Sequence, residues 1–209
     1  MRIFKTFEEF KAYADEIAEK YNDFKISKYN EDYSIDVDGD VNLRNISGNF
    51  PIKFNNISRN FNCSHNNLTS LKGGPNYVGM SYSCFYNDLT SLDIGDTIVN
   101  YWFDCSRNKL TSLDGCPKCN GGMDCCFNEL ISLRGAPEYI NMDFRCFNNK
   151  LTSLEGAPEY IGRDFYCNAN YLTSLEGCPK HVGKNFSCLD NNLISLEGCP
   201  EIIKCRTKK

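Results

Sequence analysis

Residues 61–75 read FNCSHNNLTSLKGGP, and the phrase inside them returns down the chain. It comes back as YSCFYNDLTSL at 82–92, FDCSRNKLTSL at 103–113, MDCCFNELISL at 123–133, FRCFNNKLTSL at 144–154, FYCNANYLTSL at 165–175 and FSCLDNNLISL at 186–196. Cysteines therefore stand at Cys63, Cys84, Cys105, Cys125, Cys146, Cys167 and Cys188, stepping by 21 residues with one step of 20. Three residues after each comes an asparagine, from Asn66 to Asn191. A leucine follows two residues later (Leu68 to Leu193) and another three beyond that (Leu71 to Leu196). Two residues before each cysteine is an aromatic or Met: Phe61, Tyr82, Phe103, Met123, Phe144, Phe165 and Phe186.

Each slot has a physical reading. Side chains alternate along a strand, so Phe and Cys of F-x-C point inward and the residue between them points out. Stacking one repeat on the next pairs these strands in parallel, about 4.8 Å apart, over a continuous apolar column. Cysteine serves there as a small hydrophobe. The asparagine amide satisfies backbone groups where the chain leaves the strand. Gly and Pro in KGGP, DGCP, RGAP and EGCP then turn the chain back with little room for helix. Neighbouring Cβ atoms on such strands sit near the ~4.8 Å strand spacing, beyond the ~3.8 Å of a relaxed disulfide, so the ladder is expected to hold reduced, buried thiols.

A fixed period in the roughly 20–29-residue range with L-x-L-x-x-N-x-L spacing is the pattern of leucine-rich repeats. From about residue 57 to 205 the chain resembles that family, with an aromatic and Cys in two slots usually filled by Leu. The resemblance implies a solenoid with a parallel β-sheet on its concave face and a turn-like or extended convex side. The phrase LTSLEGxP with its Cys ladder is similar to repeat proteins of bacteria and large tailed bacteriophages. The phage likeness implies a small protein acting on a host or defence component. The repeats also look like those of bacterial effector ubiquitin ligases, whose ligase domain has no counterpart here, so that activity is not implied.

The division expected is an N-terminal cap over 1–56 and a solenoid of about seven 21-residue repeats over 57–209. TFEEFKAYADEIAEKY reads as a helix, with Thr6 and Glu9 spaced as a capping box and Phe7, Phe10, Ala14, Ile17 and Tyr21 on one face. YSIDVDGDVNL reads as a hairpin turning at Asp38-Gly39. VNLRNISGNFPIKFNNI reads as a degenerate first repeat, with Val41 and Leu43 in the aromatic and Cys slots. Asp36, Asp38 and Asp40 lack the loop glutamate of a calcium site. At the other end, a short edge strand is expected at about Ile203–Cys205, its open edge guarded by Arg206, Lys208 and Lys209.

Cys116, Cys119, Cys125 and Cys126 present a C-x-x-C half-site compatible with zinc. Against it, three of the four already occupy a repeat slot, and only Cys126 is unexplained. His65 and His181 lie about five repeats apart and cannot share a site. No nucleophile elbow, phosphate loop or H-E-x-x-H is present. A net charge of −4 does not suggest a nucleic-acid surface. No apolar run approaches the ~20 residues of a membrane span, and the start does not resemble a secretory signal, so a cytoplasmic address is expected.

The informative residues are those that vary between repeats. Phe85, Tyr86, Trp102, Asp104, Arg107, Phe127, Arg145, Phe147 and Tyr166 occupy outward strand positions or their neighbours. Aromatics interleaved with Arg are the composition of binding hot spots, and stacked repeats bring them together. The expected function is a non-catalytic module that binds a partner protein through the concave face, as a monomer or weak homodimer and without a cofactor. A zinc-stabilised regulatory module, a single-strand nucleic-acid binder and a self-assembling structural unit are the alternatives.

Overall fold

The computed structural model describes residues 2–21 and 24–199, together with the backbone strand at 205–206. Helix α1 (Phe7–Lys20) opens the described chain. Its Thr6 side chain accepts from the Glu9 N–H at 3.1 Å, and Glu9 reaches back to the Lys5 N–H at 3.0 Å. Removing such a cap costs about 1 kcal/mol. The helix buries Phe10, Ala14, Ile17 and Ala18.

The hairpin lies earlier than the sequence suggested. β1 (Lys25–Tyr29) pairs antiparallel with β2 (Ser34–Asp38), and the reversal falls at residues 30–33. Asn30 and Tyr33 close it, with Tyr33 at φ 58°. Asp38-Gly39 is instead the corner where the chain leaves β2 and enters the solenoid at β3 (Val41–Asn42), with Gly39 at φ 123°. An Asp-Gly pair supplies the positive φ that either a hairpin or a corner demands. β2 pairs onward in parallel, with Lys53–Ile57, and so belongs to the stack.

The rest is a parallel-strand solenoid. A nine-stranded sheet runs from β3 through Phe61–Asn62, Ser81–Ser83, Trp102–Asp104, Gly122–Asp124, Phe144–Arg145, Phe165–Tyr166 and Phe186–Ser187 to Cys205–Arg206. Register holds throughout: Val41 faces Phe61, Phe61 faces Tyr82, Tyr82 faces Phe103, and Phe103 faces Met123. The Phe and Cys slots are inward, with Phe61, Phe103, Phe144, Phe165 and Phe186 fully buried. Each such side chain contributes roughly 2–3 kcal/mol of burial.

The return side also pairs. Tyr77–Val78, Ile98–Val99 and Lys118–Cys119 extend the sheet begun by β1 and β2, while Tyr139–Ile140, Tyr160–Ile161 and His181–Val182 form a separate three-stranded sheet. The interruption follows the one 20-residue step.

Asparagines tie turn to turn. Asn128 Nδ2 donates to Cys125 O and Cys126 O of its own turn and to Cys105 O of the turn before. Its Oδ1 accepts from Leu110 N at 3.0 Å. Asn66, Asn87, Asn108, Asn149, Asn170 and Asn191 make the same bridge. An unsatisfied buried backbone group costs about 1–3 kcal/mol, so one amide here prevents several such losses.

Eleven described cysteines are free thiols. Four ladder thiols donate onward to the next strand: Cys63 to Ser83 O, Cys105 to Asp124 O, Cys125 to Arg145 O and Cys167 to Ser187 O. The expectation of reduced thiols fails at one place, since Cys199 is disulfide-bonded. It lies on the last return arc, outside the inward ladder whose spacing disfavours a bridge. Of the expected C-terminal strand, Cys205–Arg206 is present, whereas Ile203, Lys208, Lys209 and the Arg206 side chain lie outside the described residues.

Candidate partner-binding face

The outer surface of the nine-stranded sheet carries the varied residues in four adjacent rows. Outward strand positions hold Trp102 and, one strand on, Gly122. Asp104 is followed on successive strands by Asp124, Arg145 and Tyr166. Past each ladder cysteine come two rim positions, occupied by Phe85 and Tyr86, Ser106 and Arg107, Cys126 and Phe127, and Phe147 and Asn148.

The strand rows form one cluster. Trp102 occupies an outward position and is half-buried there. Its ring lies back over the neighbouring strand, where a Cβ at Gly122 would overlap it. Gly122 is thus the seat of the tryptophan, a close approach that only glycine permits. The Arg145 guanidinium sits 5.1 Å from the Trp102 ring centroid and 6.0 Å from that of Tyr166. Arg145 is held there by Asp143 at 2.9 Å and faces Asp124 at 3.9 Å, with both carboxylates largely buried.

Asp104 receives two hydrogen bonds from Ser106, from its N–H at 3.0 Å and its hydroxyl at 2.6 Å. Burial nevertheless raises its pKa above the usual carboxylate range. Ser106 and Arg145 pull it down, while the facing Asp124 pushes it further up. Arg145 is therefore the cation around which this cluster is organised.

The rim rows form a second cluster. His65 stacks on Tyr86 with centroids 5.0 Å apart and meets the edge of Phe85 at 4.6 Å. Arg107 lies 4.3 Å over the Phe127 ring, which in turn meets Phe147 at 5.4 Å. Tyr86 and Phe127 are exposed. His65, Tyr86, Arg107 and Phe127 all have φ between 53° and 56°. A β-carbon is crowded there, at roughly 1–2 kcal/mol per residue. The same slot holds Asn45, Asn148 and Asp190 in other turns, residues that tolerate it, and Ala169 in one more, at φ 52°.

The nine residues singled out in the sequence lie on this side, and the structure adds His65, which the sequence reading weighed only as a catalyst. Its position one residue before the bridging asparagine, shared with Tyr86, Arg107 and Phe127, was the available signal.

The four cysteines of the possible zinc site point apart. Cys116 Sγ contacts Met123 Sδ at 3.8 Å, Cys119 Sγ donates to Gly122 O at 3.1 Å, and Cys125 serves the ladder. Cys126 is buried in the rim row beside Phe127. Among the described residues, no group of three or more His, Cys, Asp or Glu is arranged to hold a metal ion. Nor, among them, is any helix long and apolar enough to cross a membrane.

These features define the class: a parallel-strand repeat solenoid with a single N-terminal helix and an aromatic–arginine surface along its long sheet. Neither the known protein families nor the curated proteins contain a match to this chain.

Proposed function

We propose that this protein is a non-catalytic interaction module that holds a partner protein against the outer face of its nine-stranded sheet. The observation carrying the proposal is the rim row. His65, Tyr86, Arg107 and Phe127 occupy consecutive turns at a backbone conformation that disfavours them. Strain of this kind is imposed by the surrounding fold and clusters at functional sites. Beside that row, Trp102, Arg145 and Tyr166 supply the large, preorganised surfaces from which hot spots are made. The non-catalytic reading is supported by the state of the nucleophiles and bases. Every described free thiol is pushed above its ordinary pKa, by burial first of all, as at Cys84, Cys105 and Cys125. His65 and His181 are each stacked on a tyrosine. On the likeness of the repeat phrase to phage proteins, the partner is a host component met in the cytoplasm.

The test is capture from a host lysate, read by mass spectrometry, with three forms of the chain. Tyr86→Asn with Phe127→Asn keeps the backbone conformation and removes two rim rings. Loss of about 2 kcal/mol, roughly thirtyfold in affinity, is expected for that pair. Tyr139→Ser, on the return side, is expected to retain the partner. Retention by the rim variant together with loss in the Tyr139 variant would move the binding surface to the other side.

A further inference from the structure

At the N-terminal end of the same face lies a cleft of 540 Å³ lined by Arg44, Asn45, Asn62, Ser64, His65 and Phe85. It adjoins a second depression of 270 Å³ that shares Arg44 and Asn45 and adds Lys20. No carboxylate lines either one. This sets the end apart from the centre of the sheet, where Asp104, Asp124 and Asp143 cluster around Arg145.

The Arg44 guanidinium is also uncommitted. Arg2, Arg59, Arg134 and Arg145 each face a carboxylate. Among the described residues, Arg44 has no ion-pair partner, as Arg107 and Arg163 have none. The backbone adds donors. One turn on, the Ser64 N–H is taken by Asn62 Oδ1 at 2.9 Å and the His65 N–H by Phe85 O at 3.1 Å. The equivalent N–H groups of Arg44 and Asn45 have no acceptor among the described residues. Asn45 stands at φ 56°, the conformation that makes successive N–H groups into an anion-binding concavity.

We infer that this cleft receives an anionic side chain of the partner, a phosphate or carboxylate held by the Arg44 guanidinium, the 44–45 amides and His65. An Arg fork with backbone donors fits a planar or tetrahedral oxyanion, and charge-assisted bonds of this type are about twice as strong as neutral ones. Phe85 supplies an apolar wall for the stem that carries the anion. The inference rests on the proposed partner-binding role of the face, and its test needs no partner.

The full chain is titrated with N-acetyl-O-phosphotyrosine amide, N-acetylglutamate amide and neutral N-acetylglutamine amide, following the amide signals of residues 44–65 by NMR. Saturable binding of at least one anion, and none of glutamine, is expected. Arg44→Ala and His65→Asn should each weaken it about tenfold. His65→Asn places a residue suited to the positive φ, and Arg44 is exposed, so both variants fold. Arg134→Ala, remote from the cleft, should leave binding unchanged. Saturation by the phosphate alone assigns the anion to a phosphorylated residue, and by glutamate to an acidic one. Absence of saturation by either anion, or binding unaffected by Arg44→Ala, overturns the inference. If capture from lysate still depends on the rim rings in that case, the partner-binding reading stands without it.

Discussion

A tyrosine held at a positive φ gives up about 1–2 kcal/mol relative to a residue that accepts the conformation. At Tyr86 the compensation is one exposed stack on His65, which returns about 0.5 kcal/mol. Strain therefore wins at that position. Tyr86→Asn is expected to raise stability by about 1 kcal/mol, measured by urea unfolding, while weakening partner capture. A destabilised Asn variant would show that the ring is structural and remove the main support for the rim as a binding surface. Phe127 gains less from the same change, because Arg107 and Phe147 both pack on its ring. A further residue-scale cost sits in the core. The Tyr82 hydroxyl, in a slot otherwise filled mostly by Phe, is fully buried with only the weakly bonding Cys63 thiol beside it.

Between neighbouring strands, like charges meet at Asp104 and Asp124. Burial of Asp104 raises its pKa, so the folded state binds that proton more tightly than the unfolded chain does. Its contribution to stability is thus fully present at low pH and declines as pH rises through the raised value. Asp104→Asn should increase the melting temperature at pH 7, with the advantage fading as pH falls through the carboxylate range. The substitution keeps the acceptor for Ser106, since Asn62 already takes both hydrogen bonds of Ser64 in that way. An equal gain at pH 3 and pH 7 would refute the electrostatic account. At this scale the sequence was unevenly legible. The inward strand slots and the bridging asparagines were readable because every turn repeats them at one period. The return strands were not, since two residues such as Tyr77–Val78 carry no alternation to distinguish a strand from a turn. The hairpin was misplaced because Asp38-Gly39 serves a corner as well as a reversal. The positive-φ row was hidden because bulky residues, rather than glycine, occupy it in four turns.

For the molecule as a whole, the thiols report on the cooperativity of the stack. All eleven described free cysteines have raised pKa values, with burial the leading cause; even Cys178, on a return arc, is pushed up to about 12. Native protein should react slowly with a thiol reagent at pH 8, at a rate limited by unfolding, and at least eleven thiols should titrate in denaturant. Several thiols labelled faster than the chain unfolds would mean that single turns open independently. The candidate face was legible as a set of residues because the repeat places them in register. Its division into an arginine-centred strand cluster and a strained rim was not, because it depends on the Gly122 seat and on backbone angles that repeat spacing does not encode.

The asparagine bridges also give the coil a mechanical character. Each amide grips its own turn and the one before, and these bonds run along the axis, so a pull on the two ends loads them in tension rather than in shear. The bridge and the backbone ladder bonds between two turns share that load, and their joint failure releases a single coil of 21 residues, a length of about 70 Å when drawn out. Under force the molecule would lengthen in even, shallow steps, like a spring shedding windings, and would yield at low tension while remaining stable at rest.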